Sequence, residues 1–327
     1  MNDIAAYMFW LFVLRTVEIN MEGGVLLKNL FIKFAGSLQT ISNKQVIESV
    51  FEIIDESILI GIFVTEEEIL NILTFSNNIY SRFFEMLQQK IIEQKMDELV
   101  PIMETSAAII SVYETIFIKY IQSNTTSNLT KAIKPSIELL FKQIVPIIHF
   151  KDLEFSSRFN GMLIAMISRL LIFDAQAMLG LIQSLGLTLE QVIGGWINKM
   201  DYIGNHYGRK LNVLAIITLM PSLSIGVLQS YLKKLLEYVI PLVHNCISIK
   251  TSSFERIVLK TRDALRKQKM RQEDPIANIE LDKYFYEKFG QMCKTNNFTY
   301  EQIKDLLKGD KMLMQMFEEI NNSIKPS

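Results

Sequence analysis

The sequence predicts an all-α protein, a right-handed α-solenoid of about six to seven helix pairs, and three observations carry that prediction. The first is a helical period with its own start signals. Thr65 with Glu68, Thr188 with Gln191, and Thr299 with Gln302 are capping boxes, each ahead of an apolar stripe. In such a box the threonine and the side chain three residues on satisfy amides that the first helical turn leaves unpaired. Asp174 and Asp310 are N-cap residues in the same sense. No segment alternates strictly between turn dipeptides, so no sheet is indicated. The second observation is a recurring phrase around a proline breaker: LVPIM at Pro101, IVPII at Pro146 and VIPLV at Pro241, separated by 45 and then 95 residues. The longer gap is two steps of about 47, and Gly194-Gly195 stands where the missing proline would be. The third is the stretch 211–232, twenty-two residues without a charge. Pro221-Ser222, Ser224 and Gly226 divide it into two shorter helices, which reads as core rather than as a membrane span.

The elements follow in order along the chain. Residues 4–14 (IAAYMFWLFVL) have the length of a signal-peptide core, but Asp3 precedes them and Arg15 and Glu18 follow. Eleven apolar residues are too few to cross a bilayer, so this is read as a buried helix, one whose upstream neighbour is expected to be missing from the chain. Further on, the breaker is followed twice by an aspartate and then an arginine: Pro146, Asp152, Arg158, and Gly195, Asp201, Arg209. After each arginine comes an apolar helix, at 161–173 and 211–220. A period in the forties with two helices per unit is the mark of a HEAT- or armadillo-type array. A single helix pair cannot cover its own apolar surface, so stacking buries the second helix of each pair on all sides. In this register residues 200–210 (MDYIGNHYGRK) are the turn between the two helices of a pair rather than an active site. Asp152, Arg158, Trp196, Asp201, Arg209 and Lys210 are then expected to form a ladder that holds the stacking register. The expected organisation is HEAT-type repeats over 1–250, a basic helix and linker over 251–279, and a C-terminal helical cap over 280–327.

Little in the chain points to chemistry. Lys and Arg number 34 against 35 Asp and Glu, so no overall field draws the protein to nucleic acid or an anionic membrane. Cys246 and Cys293 form neither a disulfide framework nor a zinc spacing. His149 and His244 each follow a repeat proline by three residues, which makes them recurrent structural positions, and His206 lacks a nucleophile nearby in sequence. There is no phosphate-binding glycine loop, metal-ligand cluster or nucleophile elbow. No catalysis and no cofactor are expected. One segment, 256–271 (RIVLKTRDALRKQKMR), sets seven basic residues against the single acid Asp263, ahead of Asp274-Pro275. It is read either as a solvated helix face and linker, with Leu265 among the residues of its buried side, or as a patch for an acidic partner or nucleic acid, with Arg266, Lys267, Lys269 and Arg271 as the residues that would meet a partner.

Two phrases carry a family resemblance. WINKMD followed by GRKLNVLAIITLMPSL, over 196–223, resembles the C-terminal repeats of the importin-β (karyopherin-β) superfamily. RKQKMRQEDPIANIELDKYFYEKF, over 266–289, is similar to the basic helix, Asp-Pro turn and closing helices of its importin-eleven-like subfamily. The resemblance is clearest over 135–320, and earlier residues match as generic helical repeats. It implies a nuclear transport receptor found in cytoplasm, nucleus and nuclear pore, with protein cargo and nucleoporins as partners. It also implies Ran GTPase as regulator, although the main Ran-binding repeats of such receptors lie in an N-terminal region expected to fall outside this chain. A helical-repeat scaffold without a transport role remains the alternative.

Overall fold

The computed structural model describes residues 9–15, 24–26, 28–29, 43–63, 65–122, 128–148, 156–203, 206–249 and 262–324. All regular structure among them is helical. The chain divides into two compact units, the first comprising Met1–Ile144, Leu153–Leu163 and Val258–Ala277, the second Val145–Asp152, Ile164–Ile257 and Asn278–Ser327. The basic helix thus belongs to the first unit and the C-terminal helices to the second.

The first unit is organised by α1 (Lys44–Leu59), α2 (Glu66–Ile92) and α3 (Met96–Ile116). Asn43 starts α1 by accepting from the amides of Gln45 and Val46, and the Thr65–Glu68 box starts α2 with both of its reciprocal bonds. Helix α3 packs against α1 and also against α2. Most of its length is enclosed, with Ile102, Ala107, Ile109, Ile110, Val112 and Tyr113 buried, and its charges are left to a narrow outer edge at Asp97, Glu98, Glu104 and Glu114. Small residues at 105–108 (TSAA) let its neighbours come close. The stretch Asp97–Tyr120 is long and apolar enough to cross a membrane, but 72% of its apolar window lies inside the protein. Six residues in π-helical conformation, Phe117–Gln122, continue α3. The shifted register aims Lys119 and Tyr120 back at the end of α1 and the loop after it: Lys119 Nζ donates to the carbonyls of Ile58 (2.6 Å) and Leu59 (3.0 Å), and the Tyr120 hydroxyl to that of Phe63 (2.8 Å).

Helices α4 (Asn128–Ile148) and α5 (Ser157–Phe173) follow. In the second unit come α6 (Ala175–Ser184), α7 (Leu189–Ile197), α8 (His206–Leu219) and α9 (Ile225–Ile249), then α10 (Arg262–Glu273) of the first unit, then α11 (Leu281–Asn296), α12 (Tyr300–Leu307) and α13 (Lys311–Ile324). The remaining capping boxes form as read, at Thr188–Gln191 and Thr299–Gln302. Asp174 accepts from the Ala177 amide and Asp310 from that of Leu313. The charge-free stretch divides where its proline predicts. Helix α8 ends at Leu219, a 3-10 turn holds Met220–Ser222, and α9 restarts at Ile225. Leu211, Val213, Leu214, Ala215, Ile216 and Ile217 are buried. Helix α9 packs on α7, α8, α11 and α13, and the C-terminal end closes over stacked rings, Phe285 on Phe289 at 5.0 Å and Tyr300 on Phe317 at 5.6 Å.

The recurring prolines do not end helices. Pro101 lies early in α3 and Pro241 well inside α9, both within the helix, and Pro146 is near the end of α4. Proline inside a helix removes the one bond its amide would make to the carbonyl four residues back, and each of these helices continues past that loss. The phrase marks the apolar stripe of a helix rather than its boundary.

Candidate functional site

The densest polar arrangement among the described residues is a stripe of acids on α1. Glu48, Glu52 and Glu56 are spaced by four and so share a face, with Asp55 beside them. Asp55 and Glu56 are buried at 3% and 1% exposure. They also sit in the last turns of α1, where the helix dipole places partial negative charge and disfavours further acids. Cations must therefore be supplied, and they come from distant segments. Arg266 Nη1 is 3.7 Å from Glu56 and also donates to the Leu14 carbonyl at 2.6 Å. Lys267 Nζ is 3.4 Å from Asp55 and 3.9 Å from Glu56. Ser111 and Thr115 of α3 donate their hydroxyls to Asp55. Further up the stripe Arg158 reaches Glu48 at 2.6 Å, Glu52 at 3.1 Å and Glu104 at 3.5 Å, and Arg15 meets Glu52 at 3.4 Å.

This places the residues singled out in the sequence. Of the basic run, Arg266 and Lys267 face α1, while Lys269 is 77% exposed on its side chain and paired only along its own helix with Glu273. Arg271 is half-buried. Leu265, read as part of the helix's buried side, is instead 52% exposed, and Met270 is the apolar residue that turns inward. The reason is the acid pair, which draws the Arg266–Lys267 face inward and rotates Leu265 out. Residues 256–261 of the run lie outside the described residues.

The second unit has a smaller, uncharged node. Trp196 is its largest buried side chain, and its indole Nε1 donates to Asn212 Oδ1 at 2.7 Å. Ser168 Oγ approaches the same oxygen at 3.4 Å. The Tyr238 hydroxyl lies beside Asn212, and burial raises its pKa above the ordinary value. Within 200–210, Met200–Tyr202 form a 3-10 turn and His206–Lys210 open α8. Arg209 bends back to the Ile203 carbonyl at 2.9 Å, and Asp201 is exposed; no ion pair joins them among the described residues. Lys210 is half-buried, and Asp152 lies outside the described residues. Arg158 and Trp196 bond side chains on other helices.

Lys199, at the end of α7, is 2% exposed, and burial pushes its ammonium down to about 8. The unfolded chain then binds more protons than the folded one between about pH 8 and the ordinary lysine value of 10.5, so stability rises with pH through that window. Lys199→Met should raise the melting temperature at pH 7, and the gain should shrink as the pH approaches 10.5; equal gains at both would show that burial is not the cause.

Nothing in this arrangement assembles a catalytic group. No set of three His, Cys, Asp or Glu side chains that could hold a metal occurs among the described residues. Cys293 is half-buried and its thiol is pushed up to about 11 by burial, the opposite of an activated thiolate. His149 lies outside the described residues, and His206 is exposed at the first position of α8. His244 makes an inter-helix contact, Nε2 to Glu319 Oε2 of α13 at 2.6 Å. That bond, with one from Gln315, holds the Glu319 carboxyl below its ordinary 4.5. A depressed acid contributes stability above that value and loses it as pH falls through the folded one. Melting curves of wild type and Glu319→Gln should therefore converge as the pH drops below 4.5; a constant offset would contradict the pairing. A small apolar hollow beside Trp196, Met200 and Leu235 presents no polar group that would orient a ligand.

One comparison with known proteins is positive. No curated protein and no solved structure shows significant similarity to the chain. The model of a family described as Importin-11-like, TPR repeats, matches residues 6–321. That description names the helix-pair repeat as TPR where the period in the sequence suggested HEAT; both are arrays in which each repeat packs on its neighbours. With nearly the whole chain matched and helices alone describing its regular structure, the protein belongs to the importin-11-like repeat family of the importin-β superfamily.

Proposed function

We propose that this chain is a non-enzymatic, cargo-binding repeat region of an importin-type nuclear transport receptor, moving between cytoplasm and nucleus through the nuclear pore. The observation that carries the reading is the family match over residues 6–321. The all-helical, tightly packed units agree with it. Its partners are protein cargo and nucleoporins, with Ran GTPase as the regulator that the family brings. Neither a nucleic-acid interface nor membrane insertion forms part of this function.

The test is direct binding of the purified chain to immobilised nucleoporin segments, with and without Ran loaded with GTP. Saturable binding to nucleoporins is expected. A chain that binds no nucleoporin at concentrations where an authentic receptor saturates would leave it a scaffold of the same fold, without a transport role.

A further inference from the structure

We propose that α10 is a charge-operated clasp, held on α1 by ion pairs rather than by apolar packing, so that salt or loss of two charges detaches it locally. The apolar hold of this helix is small. Met270 is buried, but Leu265 is 52% exposed and Gln268, Lys269 and Gln272 face solvent. The turn that follows adds Ile276 at 1% exposure, seated by Asp274, whose carboxylate accepts from the Ile276 amide. What faces α1 is Arg266 and Lys267; they meet Glu56 and Asp55, and Arg266 also donates to the Leu14 carbonyl at 2.6 Å, a bond that the same charge strengthens.

The contacts with the two acids are of the kind that charge governs. At 3.4 to 3.9 Å they are ion pairs without short hydrogen bonds, unlike Arg158 to Glu48 at 2.6 Å. The cationic side is partly open, with side-chain exposures of 20% for Arg266 and 34% for Lys267, so mobile ions can reach it. The acidic side is closed, and its place at the carboxyl end of α1 makes it dependent on added cations. Lys119 donates to the carbonyls of Ile58 and Leu59, so the end of α1 has a cap that does not come from Arg266 or Lys267. Opening presents Arg266 and Lys267 to solvent beside the already exposed Lys269, which is the basic run that the sequence displays. The docked clasp therefore masks part of that run inside the first unit. This inference rests on the α1–α10 contacts alone and stands whether or not the chain transports cargo.

Hydrogen exchange on the whole chain tests it, comparing about 50 mM with about 500 mM sodium chloride, across which the screening length shortens severalfold. Peptides from α10 should exchange about tenfold faster at high salt while those from α2 and α3 stay unchanged, the signature of local rather than global opening. The double variant Arg266→Gln, Lys267→Gln should exchange fast in α10 at low salt and respond no further to salt. An α10 rate independent of salt would overturn the proposal, as would a rise shared equally by α2 and α3, or a double variant that keeps the wild-type salt response. If the variant does not fold, the wild-type comparison decides alone.

Discussion

Replacing Trp196 with alanine should lower stability by about 3–5 kcal/mol, the cost of emptying a fully buried aromatic site. The tryptophan is 2% exposed, and its indole donates to Asn212 Oδ1 among buried apolar side chains. Phenylalanine keeps most of the volume but leaves the Asn212 carbonyl with the weak approach of Ser168, so Trp196→Phe should cost about 1–3 kcal/mol. Urea unfolding followed by circular dichroism measures both. If Trp196→Phe is neutral, the indole bond is not a stabilising part of the node.

Removing Asp55 is the second large effect. This carboxylate accepts from Ser111 and Thr115 and faces Lys267, all within a site that is almost closed to water. Asp55→Ala breaks a buried charge arrangement by deleting one partner, and such breaks cost about 3–5 kcal/mol. Asp55→Asn can still accept one hydroxyl and should cost less. The ordering matters more than either value: an alanine variant no worse than the asparagine variant would mean that the charge, not the hydrogen bonds, decides the site.

What the sequence made legible follows local rules. The capping boxes at Thr65, Thr188 and Thr299 form because their partners lie three residues on. The break at Pro221 and the turn at Met200–Tyr202 are similarly local. Long-range pairing had no such signal. The acids of α1 sit in a run, IESVFEIIDES, that reads as an ordinary amphipathic helix, and their cations arrive from Arg15, Arg158, Arg266 and Lys267, up to 212 residues away. The basic run was visible as charge, but which of its residues turn inward depends on α1. Asn212 was the clearest missed signal: a single amide at the head of the apolar run 211–220 needs a buried partner, and Trp196 provides one for its oxygen. Asp201 and Arg209 show the opposite lesson, since a repeated order of residues placed them at a helix junction but gave them no shared ion pair.

The transport reading is tested most directly by nuclear entry in permeabilised cells. The chain is fused to an inert reporter too large to diffuse through the pore, and its accumulation in nuclei is followed by fluorescence. A transport receptor region should carry the reporter into nuclei, and excess nucleoporin segments added in solution should inhibit that entry. A fusion that stays outside nuclei, as the reporter alone does, would contradict the account.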